Sequence, residues 1–238
     1  MTLLLIIITL VIIGSGGLVY YTTTIHPAAL NAQATAVAQN FLTAQAMTPA
    51  GIYAQATSSR PVINDPLSSP NNSAWQSGVG CTFTGGAYHV AVNGASNGTC
   101  SARGTFSNFA FQVQVTVIKG IGGGLGFRLD GVRQRGYVFA ISISGFYALA
   151  LLESNSAAYS QGRTLSSSPD PAIKIGLNQS NLLTVIARGS DIYLYINKQF
   201  VTSVYDNASS SGQIGLFTGI ITASSAEVAF SNAQVWQL

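Results

Sequence analysis

Two patterns of apolar residues divide this chain. Residues 3–13, LLLIIITLVII, form an uncharged run, apolar but for Thr9, that continues through GSGG at 14–17 into LVYY at 18–21. At a helical rise of about 1.5 Å per residue, that length matches the hydrocarbon core of a bilayer, so the pattern predicts a transmembrane helix over 1–22. Tyr20 and Tyr21 fit an interfacial aromatic belt. A cleaved signal peptide would open on positive charge and close on a small-residue cleavage site. Here the first charge is Arg60, and the glycines lead into more apolar residues.

Residues 28–47, AALNAQATAVAQNFLTAQAM, have high helix propensity and set Leu30, Val37 and Phe41 on one helical stripe. They predict a helical stalk. Pro, Ser and Asn enrichment from Thr48 to Pro70 predicts a linker, so stalk and linker together occupy 23–69.

From about Trp75 the period is two. FAFQVQVTV at 109–117 puts its large apolar residues on one strand face. YVFAISI at 137–143 and FYALAL at 146–151, separated by Ser144-Gly145, predict a hairpin. Residues 181–187 and 191–197 predict another, with Arg188-Gly189-Ser190 at its turn. Three more strands are expected at 199–205, 213–217 and 227–236. Short strands joined by Gly, Asn and Ser turns predict an all-β domain, a sandwich or barrel, over 70–238.

The same residues carry a resemblance. LLTVIARGSDIYLYIN at 182–197 resembles the penultimate hairpin of concanavalin A-like, laminin-G-like jelly rolls. GQIGL at 212–216 and VAFSNAQVW at 228–236 fill the places of that pattern's last strands, and FSNFAF at 106–111 and GLGFRLD at 124–130 match upstream. Lys198 stands where the pattern usually has Gly. The chain as a whole resembles bacterial membrane-anchored ectodomains of this superfamily. Some relatives carry a cytoplasmic serine/threonine kinase before the membrane helix, and the resemblance carries no kinase activity over to this sequence. The resemblance implies a concanavalin A-like β-sandwich, a fold that hosts lectins, hydrolases and adhesion modules alike.

Charged residues are only 7% of the chain, against about 25% in typical proteins, which suits an extracytoplasmic β-protein. The net charge of +3 comes from scattered single cations, so no nucleic-acid partner is expected. Cys81 and Cys100 flank the turn NGASNG at 93–98 and match no metal-ligand spacing. They predict a structural disulfide, hence an oxidising compartment and a C-terminal domain outside the membrane.

Chemistry is sparse. Glycoside cleavage needs two carboxyls held near one another. The seven acids, Asp65, Asp130, Glu153, Asp170, Asp191, Asp206 and Glu227, include no pair at i, i+2 or i, i+4 along a strand. The run GIGGGLG at 120–126 leads into a strand, not a helix, so it reads as a turn or bulge, not a phosphate loop. His89 alternates outward on its strand, with no nucleophile elbow in the chain.

Arg128, Asp130, Arg133, Arg135 and Tyr137 form the most suggestive polar group, since Arg and Asp grip sugar hydroxyls and an aromatic face stacks on a sugar ring. Tyr193 and Tyr195 share a strand face that either lines a binding sheet or covers the core. The candidate ligand residues are therefore Arg128, Asp130, Arg135, Tyr137, Tyr193 and Tyr195, the first and the tyrosines on exposed faces, with no metal or cofactor. The function expected is a non-catalytic extracytoplasmic binding or sensory domain, for a glycan or another cell-surface component. A glycoside hydrolase is the alternative, and a structural adhesion or pilin-like subunit the next. Oligomeric state is left open.

Overall fold

The computed structural model describes residues 26–71, 73–94, 98–131, 135–153, 162–218 and 225–238. The apolar segment at 1–22 lies outside the described residues, and no described helix is long and apolar enough to cross a membrane. The chain divides into two compact units, Met1–Gly51 and Ile52–Leu238.

The first unit contains helix α1 (His26–Ala46). Its Ala and Gln content favours helix, and the Thr35 and Thr43 hydroxyls donate back to the Asn31 and Gln39 carbonyls. Leu30, Val37 and Phe41 are exposed on it. Helix α2 (Pro49–Ala56) begins where Thr48 Oγ1 accepts the Gly51 amide at 3.1 Å, an N-cap followed by proline at the first helical position.

Among the described residues, the regular structure of the second unit is β apart from the remainder of α2. In order its strands are β1 (Ile63–Asp65), β2 (Cys81–Thr84), β3 (Ala87–Asn93), β4 (Gly98–Ser101), β5 (Phe109–Lys119), β6 (Gly122–Asp130) and β7 (Arg135–Ser142). Next come β8 (Phe146–Leu152), β9 (Arg163–Pro169), β10 (Ser180–Arg188), β11 (Asp191–Ile196), β12 (Gln199–Tyr205), β13 (Gln213–Thr218) and β14 (Ser225–Gln237).

They form two antiparallel sheets. One runs β12-β11-β10-β5-β14-β3-β2, with β1 added along β14; the other runs β4-β13-β6-β7-β8-β9. Alternation dictates what each sheet turns inward. Phe111, Val113 and Val115 of β5, Leu183 and Val185 of β10, and Val228 and Phe230 of β14 meet Leu125, Phe127, Phe139, Leu149 and Leu216 from the second sheet in one buried cluster. Both expected hairpins are present: β7 pairs β8, and β10 pairs β11. The architecture is a jelly-roll sandwich.

Cys81 and Cys100 form a disulfide. It links β2 to β4, edge strands of different sheets, and so fastens the two layers at one side.

Three expectations need correction. Part of the expected linker belongs to the sandwich unit, because β1 pairs with β14 and the Asp65 carboxylate accepts the Leu67 and Ala74 amides and the Ser73 hydroxyl. The glycines at 122–126 form the interior of a strand, not a turn: a Cβ on Gly124 would fall 2.0 Å from the Phe139 carbonyl oxygen, so only glycine fits against β7. Arg135, expected in a loop, opens β7, while Arg133 lies outside the described residues.

The two-residue turn between β11 and β12 has positive φ at both Asn197 (51°) and Lys198 (67°), the conformation that makes a tight hairpin. Asn197 is anchored there by its side chain. Its Oδ1 accepts the Leu182 amide, and its Nδ2 donates to the Ala172 carbonyl and to Asn181 Oδ1.

Candidate functional site

Facing away from the core, the six-stranded sheet is built of small and apolar residues. Val138, Ala140, Leu152 and Phe217 pack there with Leu129, a cluster separate from the core. Beside it lies a depression lined by Thr99, Ser101, Gly126, Leu129, Asp130, Gly131, Arg135, Val138, Leu152 and Gln213. Leu129 occupies its floor because positions 126 and 215 carry no side chain. A Cβ on either glycine would meet a Leu129 methyl at 3.0 Å.

The depression owes its polar rim to a bulge in β6. The β6–β7 register breaks between Phe127 and Asp130, and Arg128 takes a φ of 50°. One extra residue reverses the facing of its successors along the strand. Arg128, next after inward-facing Phe127, turns in; Leu129 turns out onto the floor; Asp130 pairs with Arg135 at the rim.

Arg128 is fully buried. Its Nε and Nη2 donate to the Ser107 carbonyl at 3.1 and 2.6 Å, and its Nη1 donates to the Ser209 carbonyl at 3.2 Å. Ser209 Oγ returns a hydrogen bond to the Arg128 carbonyl. Burial pulls the guanidinium pKa down, partly countered by Tyr137.

Tyr137 is also fully buried, its ring stacked on Phe127 at 5.1 Å. Its hydroxyl donates to Asp206 Oδ1 and accepts the Ser209 amide. Burial, then the Asp206 hydrogen bond, pushes the phenol up to about 12. For Asp206, burial works upward, but hydrogen bonds from Tyr137, the Ala208 amide and Arg163 outweigh it and hold the carboxyl below its ordinary value. These contacts tie segment 206–209 to the ends of β6 and β7. Arg135, exposed, adds a hydrogen bond to the Ala208 carbonyl at 3.3 Å.

The six sequence candidates therefore separate into three places. Asp130 and Arg135 line the depression. Arg128 and Tyr137 correct the expectation of an exposed face, since both are enclosed and committed to the protein's own backbone and carboxylate. Tyr193 and Tyr195 lie on the other sheet, where they join a small cluster with α2 residues Ile52, Tyr53 and Ala56. Tyr195 is 1% exposed, with Tyr53 at 5.1 Å and Phe200 at 5.6 Å between ring centres, so its face is covered. Burial and then Tyr193 raise the Tyr195 pKa to about 12.

Sequence reasoning missed Thr99, Ser101 and Gln213 at the rim; their signal was their place on the outward parity of β4 and β13. It also left His89 without a partner. His89 Nδ1 lies 2.6 Å from Glu227 Oε1 across β3 and β14, half-buried on the outer face of the eight-stranded sheet. Among the described residues no three His, Cys, Asp or Glu side chains gather as a metal cluster.

The sequence matches no family model and no curated protein. Solved structures do resemble it. The carbohydrate-binding module CBM66 from Bacillus subtilis superposes with a TM-score of 0.58 at 20% identity, covering 70% of this chain and 98% of its own. A Bacillus subtilis protein of unknown function with a galectin-like fold gives 0.55 at 13% identity, covering 75% and 96%. Bacillus licheniformis β-glucanase gives 0.51 at 10% identity, covering 76% and 100%. The likeness is one of fold, shared by binding modules and glycoside hydrolases.

Proposed function

We propose that this protein is a non-catalytic, membrane-anchored glycan-binding domain displayed outside the cell, and that the depression on the six-stranded sheet takes the sugar. One observation carries the reading: the bulge sets Asp130 beside Arg135 at the rim of an otherwise apolar floor. A carboxylate accepts and a guanidinium donates, so together they can engage neighbouring hydroxyls of one sugar ring. Thr99, Ser101 and Gln213 add neutral hydrogen-bonding groups, while Leu129 and Val138 offer contact to the ring's apolar face.

The likeness to a carbohydrate-binding module and a galectin-like protein supports the ligand class. Against hydrolysis, Asp130 is the one carboxylate among the depression's lining residues, whereas glycosidases flank the scissile bond with two. The disulfide favours an oxidising compartment, and the apolar run at 3–21 supplies an anchor. A glycan array probed with residues 48–238 tests the class; signals for defined oligosaccharides are expected, and a blank array would refute it.

A further inference from the structure

The end of the sandwich opposite the depression carries a different surface. β6 starts there at Gly122 and ends at Asp130, roughly 25 Å away at strand rise. Three connections meet at this end. The Ile143 amide donates to the Ile121 carbonyl, and the Gly176 amide to the Ile143 carbonyl, both within 2.9 Å; the Asp170 amide donates to the Gly145 carbonyl at 3.0 Å. A Cβ on Gly145 would touch Ile175 at 3.0 Å. On this hydrogen-bonded frame four large apolar side chains project into solvent: Ile121 is 38% exposed, Phe146 50%, Ile175 65% and Leu177 44%.

Lys119 and Lys174 flank them, exposed and without an ion pair among the described residues. The nearby acids are engaged elsewhere. Asp170 Oδ1 accepts the Ala172 amide, and Glu227, the ladder partner of Lys119, is held by His89.

We propose that these loop tips dock on an anionic lipid bilayer. Apolar side chains raised on separate, braced loops can enter the headgroup region, while the two lysines stay at the level of lipid phosphates. A second copy of the chain fits less well, because a two-fold contact through this patch would bring unpaired lysines toward one another. The surface shares no lining residue with the glycan depression, so either can fail alone.

Residues 52–238 form a compact unit with both sheets, the core and the disulfide, so residues 48–238 serve as the probe. Flotation with vesicles of phosphatidylglycerol and phosphatidylcholine is compared with phosphatidylcholine alone. Binding is expected on the anionic vesicles only. The double variant Phe146→Ser/Ile175→Ser should lower partitioning by about a hundredfold, about tenfold for each buried apolar side chain. Lys119→Gln/Lys174→Gln should lower it by about fivefold for each lysine. Unchanged thermal unfolding confirms that both variants keep the fold, and the lysine pair still tests the proposal if the apolar pair does not. No binding to anionic vesicles, equal binding by wild type and both variants, or self-association abolished by the same substitutions would overturn it.

Discussion

The Tyr137 hydroxyl donates to Asp206 Oδ1 at 2.6 Å while accepting the Ser209 amide at 3.2 Å. One phenol on β7 thus holds both ends of a short segment that also covers Arg128. Arg163 grips the other Asp206 oxygen at 2.9 Å. What looked in sequence like sugar-binding chemistry is, at these positions, the fastening of the site's supporting end.

Tyr137→Phe should cost about 1–3 kcal/mol in urea unfolding, because it removes one of the hydrogen bonds to Asp206 and leaves the Ser209 amide without its acceptor in a buried setting. The pH dependence has a definite sign. Tyr137 is raised to about 12 from 10.0, so its contribution is complete below pH 10 and declines as pH rises toward 12. Asp206 is held below its ordinary 3.8, so its contribution is present above that pH and lost as pH falls through the lower folded value. The Phe variant should show a weaker alkaline decline than the wild type. Identical alkaline limbs would contradict the assignment.

Arg128→Ala should destabilise by about 3 kcal/mol or more, since it strips the Ser107 and Ser209 carbonyls of buried donors. Arg128→Lys should recover only part, because an ammonium lacks the guanidinium's planar fork. Calorimetric unfolding measures both. A variant of wild-type stability would show that the buried arginine is not structural.

Much of this was readable from alternation. Val113, Val115, Leu183, Val185, Val228 and Phe230 all face inward as their parity demands, and both hairpins follow from turn residues between alternating runs. The site was less readable because a bulge breaks parity. Nothing in LGFRLD announces that Arg128 will take a φ of 50° and turn inward, and that single residue decides which side chains reach the depression. The covering of Tyr195 was hidden for another reason. Its lid, Tyr53 on α2, lies 142 positions earlier in a stretch whose Pro and Ser content reads as linker.

Lys198→Gly should stabilise the protein by about 0.5–1 kcal/mol. Lys198 holds a φ of 67°, a left-handed conformation that costs an ordinary residue energy and glycine little. A rise in the urea midpoint at unchanged slope is the expected result, and a fall would mean the lysine side chain contributes more than its backbone strain costs.

Reducing the disulfide, or replacing Cys81 and Cys100 together by Ser, should lower stability by about 3 kcal/mol, the loop-closure value for a sequence separation of 19. Thermal unfolding with and without reductant checks this. Because the bond joins edge strands of the two sheets, loss should loosen β2 and β4 first, visible as faster amide exchange there than in β5 or β10.

Glycan binding is proposed at the rim formed by Asp130 and Arg135. The most direct measurement is calorimetric titration of residues 48–238 with an oligosaccharide identified on the array, using wild type, Asp130→Ala and Arg135→Ala. Both side chains sit at the rim, outside the core cluster, so the variants should unfold near the wild-type temperature. Each should weaken binding about tenfold or more, the usual effect of losing a charge-assisted contact. Full affinity in both variants would place the sugar elsewhere and contradict the proposal, and cleavage of the oligosaccharide by the wild type would make the protein a hydrolase.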